Sequence, residues 1–309
     1  MQLFPTPENK APKDIRSVEL FTPDKVRLRA AFASPKNPKG TVLIAGGRAE
    51  FIERYFETMG DLMKQGFAVA TFDWRGQGGS DRLIDDKTRG YVRNFADYDI
   101  DIDTVYSRLL VAQCPRPYYG LGHSTGGHLL IRALRGKKWL DRAVMSAPLM
   151  GFHYGAWPRW AARTLATSAV RSGFKTGFVP GVSKLPYHAN DFEGNPLTSD
   201  RKRWNRDMLT LEQYPELGIG GPTYGWVHAA MRSFDELMHW PPSNGPSCPT
   251  LIVMAGLDKV VNNTATKAFL DRAPGFSSLT LADSNHEILN ETNAIRQRFL
   301  AAFDAFITG

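Results

Sequence analysis

From residue 41 onward this 309-residue chain carries six short apolar segments, 41–45, 67–73, 118–123, 142–147, 250–256 and 278–283, separated by stretches of helical periodicity. Strands buried on both faces read as near-continuous apolar runs, and parallel neighbours need helical crossovers between them. The pattern predicts an α/β fold with a mostly parallel central sheet and helices on both faces. Ahead of it, residues 16–34 read as an antiparallel hairpin, because Val26, Leu28, Ala30 and Phe32 alternate strictly after a turn holding Pro23 and Asp24. Asn94 is placed to cap a helix whose inner face is Phe95, Tyr98, Ile102, Val105 and Leu109, with Asp97, Asp99 and Asp101 near its positive end. The last helix is expected to bury Ile295, Phe299, Phe303 and Phe306.

One connection breaks the rhythm. Pro148 and Thr250 are about 100 residues apart, far more than one crossover helix and its loops require. The expected organisation is therefore a core of residues 1–150 and 241–309 with a helical cap, 151–240, inserted between its two parts. Open α/β sheets present ligands at the carboxyl ends of their strands, so a cap leaving that edge would roof the site. This segment is rich in aromatic residues, and Trp157, Trp160, Tyr224 and Trp226 are candidate substrate contacts, pointing to an apolar substrate. The plainer alternative is that such rings pack only the cap's own core.

The chemistry-bearing residues cluster at strand ends. Gly122-His123-Ser124-Thr125-Gly126 follows an apolar strand, and glycines on either side allow the sharp turn that holds a serine oxygen outward. A hydroxyl becomes a nucleophile only when an imidazole takes its proton and a carboxylate fixes that imidazole's tautomer. Asp258 lies just past the strand at 250–256, and His286 just past the strand at 278–283. Asp283 is a competing carboxylate, ranked below Asp258 because Asp258 follows a long buried strand. His123 and His128 flank the serine and read as packing residues, while Asp73 and Arg75 read as tying down a turn.

Composition bounds the rest. Hydrophobic residues make up 42% and charged residues 22%, ordinary values for a globular protein, and the net charge is +7. The cations are scattered, without a dense run or a nucleic-acid module, so no nucleic acid partner is expected. Residues 1–14 lack the apolar core of an export signal and no stretch is long enough to span a bilayer, which points to a cytoplasmic protein. Cys114 and Cys248 read as two reduced thiols, and the histidines show no ligand spacing, so no metal is expected. Residues 153–172 carry Arg159, Arg163 and Arg171 with no acid, beside Trp157, Trp160 and Leu165. That composition suits peripheral contact with an anionic membrane, at its inner face for a cytoplasmic chain.

With the strand, elbow, acid and histidine in this chain order, the sequence resembles the α/β-hydrolase superfamily along essentially its whole length, and within it the monoacylglycerol lipase and bacterial lysophospholipase branch. The motifs that carry the likeness, besides the elbow, are Gly47-Arg48-Ala49-Glu50-Phe51-Ile52-Glu53-Arg54-Tyr55, Asp73-Trp74-Arg75-Gly76-Gln77-Gly78-Gly79-Ser80 and Gly221-Pro222-Thr223-Tyr224-Gly225-Trp226-Val227. The resemblance implies hydrolysis of fatty acyl carboxylic esters by Ser124, His286 and Asp258, with no cofactor. It also implies oxyanion donors at the backbone N–H groups of Thr125 and Arg48. The chain departs from its relatives in two places. Gly46-Gly47 stands where many have His-Gly, which leaves Gly47 open as the second donor, and Trp74 stands where a histidine is common. Lysophospholipid is the substrate expected first, and monoacylglycerol or another ester second. Other readings are peptide or epoxide hydrolysis on the same scaffold, or a noncatalytic receptor or carrier for a small apolar ligand.

Overall fold

The computed structural model describes residues 2–154, 158–240 and 245–309. Its strands are β1 (Arg16–Phe21), β2 (Arg27–Ala33), β3 (Thr41–Ala45), β4 (Ala68–Phe72), β5 (Tyr118–His123), β6 (Arg142–Ser146), β7 (Thr250–Ala255) and β8 (Phe276–Leu281). They form one sheet in the order β1-β2-β4-β3-β5-β6-β7-β8. The pairs β1–β2 and β2–β4 are antiparallel and all other neighbours are parallel. The hairpin thus supplies an antiparallel edge to a parallel sheet. Strand β8 begins two residues earlier than its apolar pattern indicates and ends at Leu281. As the opposite edge strand it is largely exposed, so burial does not impose an apolar run on it.

The helices are α1 (Phe56–Lys64), α2 (Ala96–Val105), α3 (Val111–Gln113), α4 (Thr125–Ala133), α5 (Arg159–Arg171), α6 (Arg201–Gln213), α7 (Tyr224–Met238), α8 (Asn263–Arg272) and α9 (Asn293–Thr308). A wider helical turn over Tyr106–Leu110 joins α2 to α3. Alternation along β3 sends Val42 and Ile44 into one apolar layer with Met59 and Leu62 of α1 and Phe299 and Phe303 of α9. Leu43 and Ala45 enter the other, with Ile102 of α2, Leu130 of α4 and Phe234 of α7. Both faces of the sheet are covered, and each fully buried Leu, Ile or Phe contributes about 1.5–3 kcal/mol.

Asn94 does accept a hydrogen bond from the Ala96 N–H, at 3.2 Å. Asp101, in contrast, is not a solvated acid serving the helix dipole. It is fully buried and holds Arg75 at 2.7 Å. On α9 the inner stripe runs through Ile295, Phe299 and Phe303 to Ile307, and Phe306 is only half-buried, with the Arg142 guanidinium over its ring. Four residues beyond Phe303 return to the inner face, whereas three drift to its margin.

Between β6 and β7 the chain leaves the sheet and builds α5, α6 and α7. Helix α6 closes a satellite apolar cluster in which Trp204, Met208, Leu211 and Leu217 meet Phe51. Helix α7 runs from Trp226 back into the main core through Phe234 and Leu237.

Candidate active site

Strand β5 ends at His123 and α4 begins at Thr125, so Ser124 alone must turn the chain. It does so at φ 51° and ψ −117°, a left-handed conformation costly for any residue with a Cβ. The turn is held by Ser124 N–H donating to the Ser146 carbonyl at 3.0 Å and by the Ser124 carbonyl accepting from Leu149 N–H at 2.9 Å. Glycine is obligatory beside it, since a Cβ on Gly126 would lie 2.0 Å from the Ala45 oxygen and one on Gly122 2.6 Å from Gly127 Cα. The backbone crowding that this sequence pattern implies is therefore present.

His286 lies between Ser124 and Asp258. Its Nε2 is 3.0 Å from Ser124 Oγ and its Nδ1 is 2.7 Å from Asp258 Oδ2. Because an ionised carboxylate only accepts, Nδ1 carries the proton and donates, which leaves Nε2 to accept from the serine hydroxyl. The other Asp258 oxygen accepts from the N–H groups of Val260 and Val261, both at 2.8 Å. Burial alone would push the Asp258 carboxyl upward. The hydrogen bond and charge of His286, joined by the two amides, outweigh it and hold Asp258 below the ordinary carboxylate range. Asp283 sits apart, exposed and paired with Arg298.

The loop after β3 is fixed from below. Trp74 Nε1 donates to the Gly46 carbonyl at 2.8 Å, and Gln77 Nε2 donates to the carbonyls of Gly47 (2.8 Å) and Glu50 (3.0 Å). The buried Glu50 carboxylate accepts the Gly47 N–H and the Tyr55 hydroxyl. Gly47 lies against the elbow, where a Cβ on it would come within 3.2 Å of Ser124 Cβ. Of the three candidate donors, Gly47 N–H is taken by Glu50, while the N–H groups of Arg48 and Thr125 have no protein acceptor among the described residues. Sequence reasoning passed over Glu50, Gln77 and Tyr55, although all three stand inside the motifs after the first two parallel strands.

His123 Nδ1 donates to the Ser146 carbonyl at 3.1 Å, and His128 Nε2 is 2.6 Å from Ser233 Oγ, so both flanking histidines serve packing and hydrogen bonding. Asp73 accepts from Arg29, from Ile52 N–H and from Gly79 N–H, and Arg75 binds Asp24 and Asp101, so this pair braces the turn as expected. Both cysteines are free, and burial raises their thiols to about 12 at Cys114 and about 11 at Cys248.

The aromatic residues after β6 divide. Trp226 is buried against Phe95 and Phe152, beneath the Arg48 guanidinium. Tyr224 is partly buried beside Gly177, and Trp160 is 71% exposed on α5. Trp157 lies outside the described residues. Arg159 and Arg163 do meet an acid, Asp235 of α7, which the local sequence of α5 could not reveal. Ser124 is 8% and His286 3% exposed, so the site is closed over by the chain itself.

A mostly parallel eight-stranded sheet, a strained serine elbow after its central strand, and loops from β3, β7 and β8 converging on that serine define an α/β hydrolase. The chain belongs to the serine aminopeptidase S33 family, whose profile matches residues 36–293. It is 29% identical to lysophospholipase L2 of Escherichia coli K12 over 86% of this chain and 79% of that protein. Among solved structures it resembles a soluble variant of the Saccharomyces cerevisiae monoglyceride lipase, with a TM-score of 0.74 and 18% identity, covering 100% of this chain and 98% of that one. It also resembles the monoacylglycerol lipase of Paleococcus ferrophilus, with a TM-score of 0.70 and 17% identity, covering 91% and 98%.

Proposed function

We propose that the chain is a serine esterase that hydrolyses the fatty acyl ester of lysophospholipids, with residues 151–240 acting as its cap. The observation that carries this reading is the hydrogen-bonded line Asp258–His286–Ser124, two contacts of 2.7 and 3.0 Å among buried groups. In this mechanism His286 Nε2 takes the Ser124 proton as Oγ bonds to the ester carbonyl carbon. The oxyanion that forms is received by the N–H groups of Thr125 and Arg48, the second chosen over Gly47 because Glu50 already holds the Gly47 amide. His286 then protonates the departing glycerol oxygen, deprotonates a water, and the acyl-enzyme is hydrolysed to fatty acid while Asp258 stays ionised. The likeness to lysophospholipase L2 supports the choice of substrate class, and the apolar rings carried after β6 suit an acyl chain.

Among the described residues no helix is long and apolar enough to cross a membrane. Contact with lipid in this reading is peripheral and runs through α5. The deciding assay is fatty acid release from lysophospholipids, monoacylglycerols and short esters by wild type and Ser124→Ala. We expect the variant to lose activity on the scale of about 10⁶-fold while its circular dichroism is unchanged. Retained turnover removes Ser124 from the mechanism. Wild-type protein that neither turns over these esters nor labels with a fluorophosphonate is a binding protein instead.

A further inference from the structure

Buried arginines in this molecule come with carboxylates. Arg29 holds Glu53 and Asp73, Arg54 holds Asp207 and Glu287, Arg75 holds Asp24 and Asp101, and Arg132 holds Asp99 and Glu236. Arg82 has no acid but uses its donors on the carbonyls of Lys87, Gly78, Ser80 and Glu216. Arg48 has neither arrangement. Its guanidinium sits 5.2 Å from the centre of the Trp226 ring and makes one hydrogen bond, from Nη2 to the Gly220 carbonyl at 2.7 Å. Among the described residues no carboxylate pairs with it, and its Nε is sealed from solvent without a partner. Burial lowers the guanidinium only to about 10, opposed by the phenols of Tyr98 and Tyr187, so it is charged at neutral pH.

A partly buried cation with no carboxylate beside it and one sealed, idle donor is costly unless an anion completes it. We infer that the Arg48 guanidinium is a specificity-determining anion site that receives the substrate's phosphate. This rests on the reading of Ser124 as the nucleophile. The backbone of Arg48 follows Gly47, which packs on Ser124, while its side chain runs between the Gly220 carbonyl and Trp226. In a 1-acyl lysophospholipid the path from ester carbonyl carbon to phosphorus spans about six single bonds. The path from the Arg48 nitrogen to its guanidinium carbon spans about six as well. One residue can therefore face the carbonyl with its amide and the phosphodiester with its planar fork, whose donors match phosphate oxygens. A monoacylglycerol offers a hydroxyl there and leaves the cation unpaired.

The test compares kcat/KM for a lysophosphatidylglycerol with that for the monoacylglycerol of the same acyl chain, in wild type, R48A, R48Q and R48K. We expect wild type to favour the phosphodiester. The ratio should fall by about 10- to 100-fold in R48A and R48Q, mostly through KM, and recover in large part in R48K, which keeps the charge. Glycerol 3-phosphate should inhibit wild type competitively and inhibit R48A and R48Q more weakly. Equal loss on both substrates, or a wild type indifferent to the phosphate, overturns the anion site and leaves the esterase reading standing. Inorganic phosphate that inhibits as strongly as glycerol 3-phosphate assigns the guanidinium to free anions and also overturns it. A wild type that cleaves neither ester overturns the esterase reading itself.

Discussion

At the residue scale the two carboxylates that compete for His286 differ in burial and in partners, and the one nearer in sequence, Asp283, is not the one that touches the ring. Asp258 is buried, accepts three hydrogen bonds and fixes the tautomer that leaves Nε2 free for Ser124. Asp283 is exposed and its pair with Arg298 is a solvent-screened surface contact. Asp258→Asn should lower kcat by about 10³- to 10⁴-fold, because an amide neither holds the imidazole's proton on Nδ1 nor stabilises the imidazolium. Asp283→Asn should leave kcat within about twofold. Steady-state kinetics on one ester decides this, and equal effects would undo the assignment of Asp258. Ser124 and Asp258 were legible because each follows a buried apolar strand at a point where the chain must turn, and His286 because it stands in the loop after the edge strand β8. Glu50 and Gln77 were not singled out as supports, because they act through hydrogen bonds to backbone groups that only the folded loop brings near them.

At the scale of elements, the buried strands were readable to within a residue or two, since burial on both faces forces an apolar run. Even the exposed edge strand β8 is placed within two residues at each end, but the partners of charged helices were not readable. On helix α6 Arg203 and Arg206 bind Glu57 of α1, and Asp207 joins Arg54 and Asn290. Those partners lie far along the chain. Helix α5 is the opposite case. Ala166 is its one buried residue, and Trp160 at 71% and Leu165 at 40% face solvent, near in sequence to Phe174 at 68%. Arg159 and Arg163 are neutralised in part by Asp235, so the proposed lipid contact would rest on Arg171 and the exposed rings. The protein should therefore sediment with anionic vesicles at low salt and be released as the screening length shrinks to about 3 Å near 1 M salt. Trp160→Ser should weaken that binding. Protein that stays in the supernatant at low salt ends the case for α5 as a membrane contact.

For the whole molecule, stability must depend on pH through groups that fold into a charge state they would not keep in water. His128 is fully buried, and burial, reinforced by the nearby Arg132 charge, holds its pKa down to about 3 from 6.5. His123 is lowered too, by burial first and by the proximity of His286. A base whose folded pKa is depressed is neutral in the native state but takes a proton once unfolded. The unfolded chain then binds more protons wherever the pH lies between the two values, so stability rises with pH across that window and is lost as pH falls below about 6.5. Asp101 works against this trend. Burial lifts its carboxyl to about 7 despite Arg75, so the folded state gains a proton there as pH falls and that contribution grows. Asp24 and Glu57, each held near 2 with arginine partners, add a second loss only below about pH 4. The His128 share can be isolated because His128→Asn removes one titrating site and leaves the rest. Urea unfolding between pH 6 and 4 should show a stability slope smaller in the variant by about one proton, or about 1.4 kcal/mol per pH unit. The slope is the quantity to compare, since the lost contact with Ser233 shifts the absolute level at every pH. Parallel lines for the two proteins would mean that His128 enters the folded state with its proton, through an opening of the α4–α7 contact.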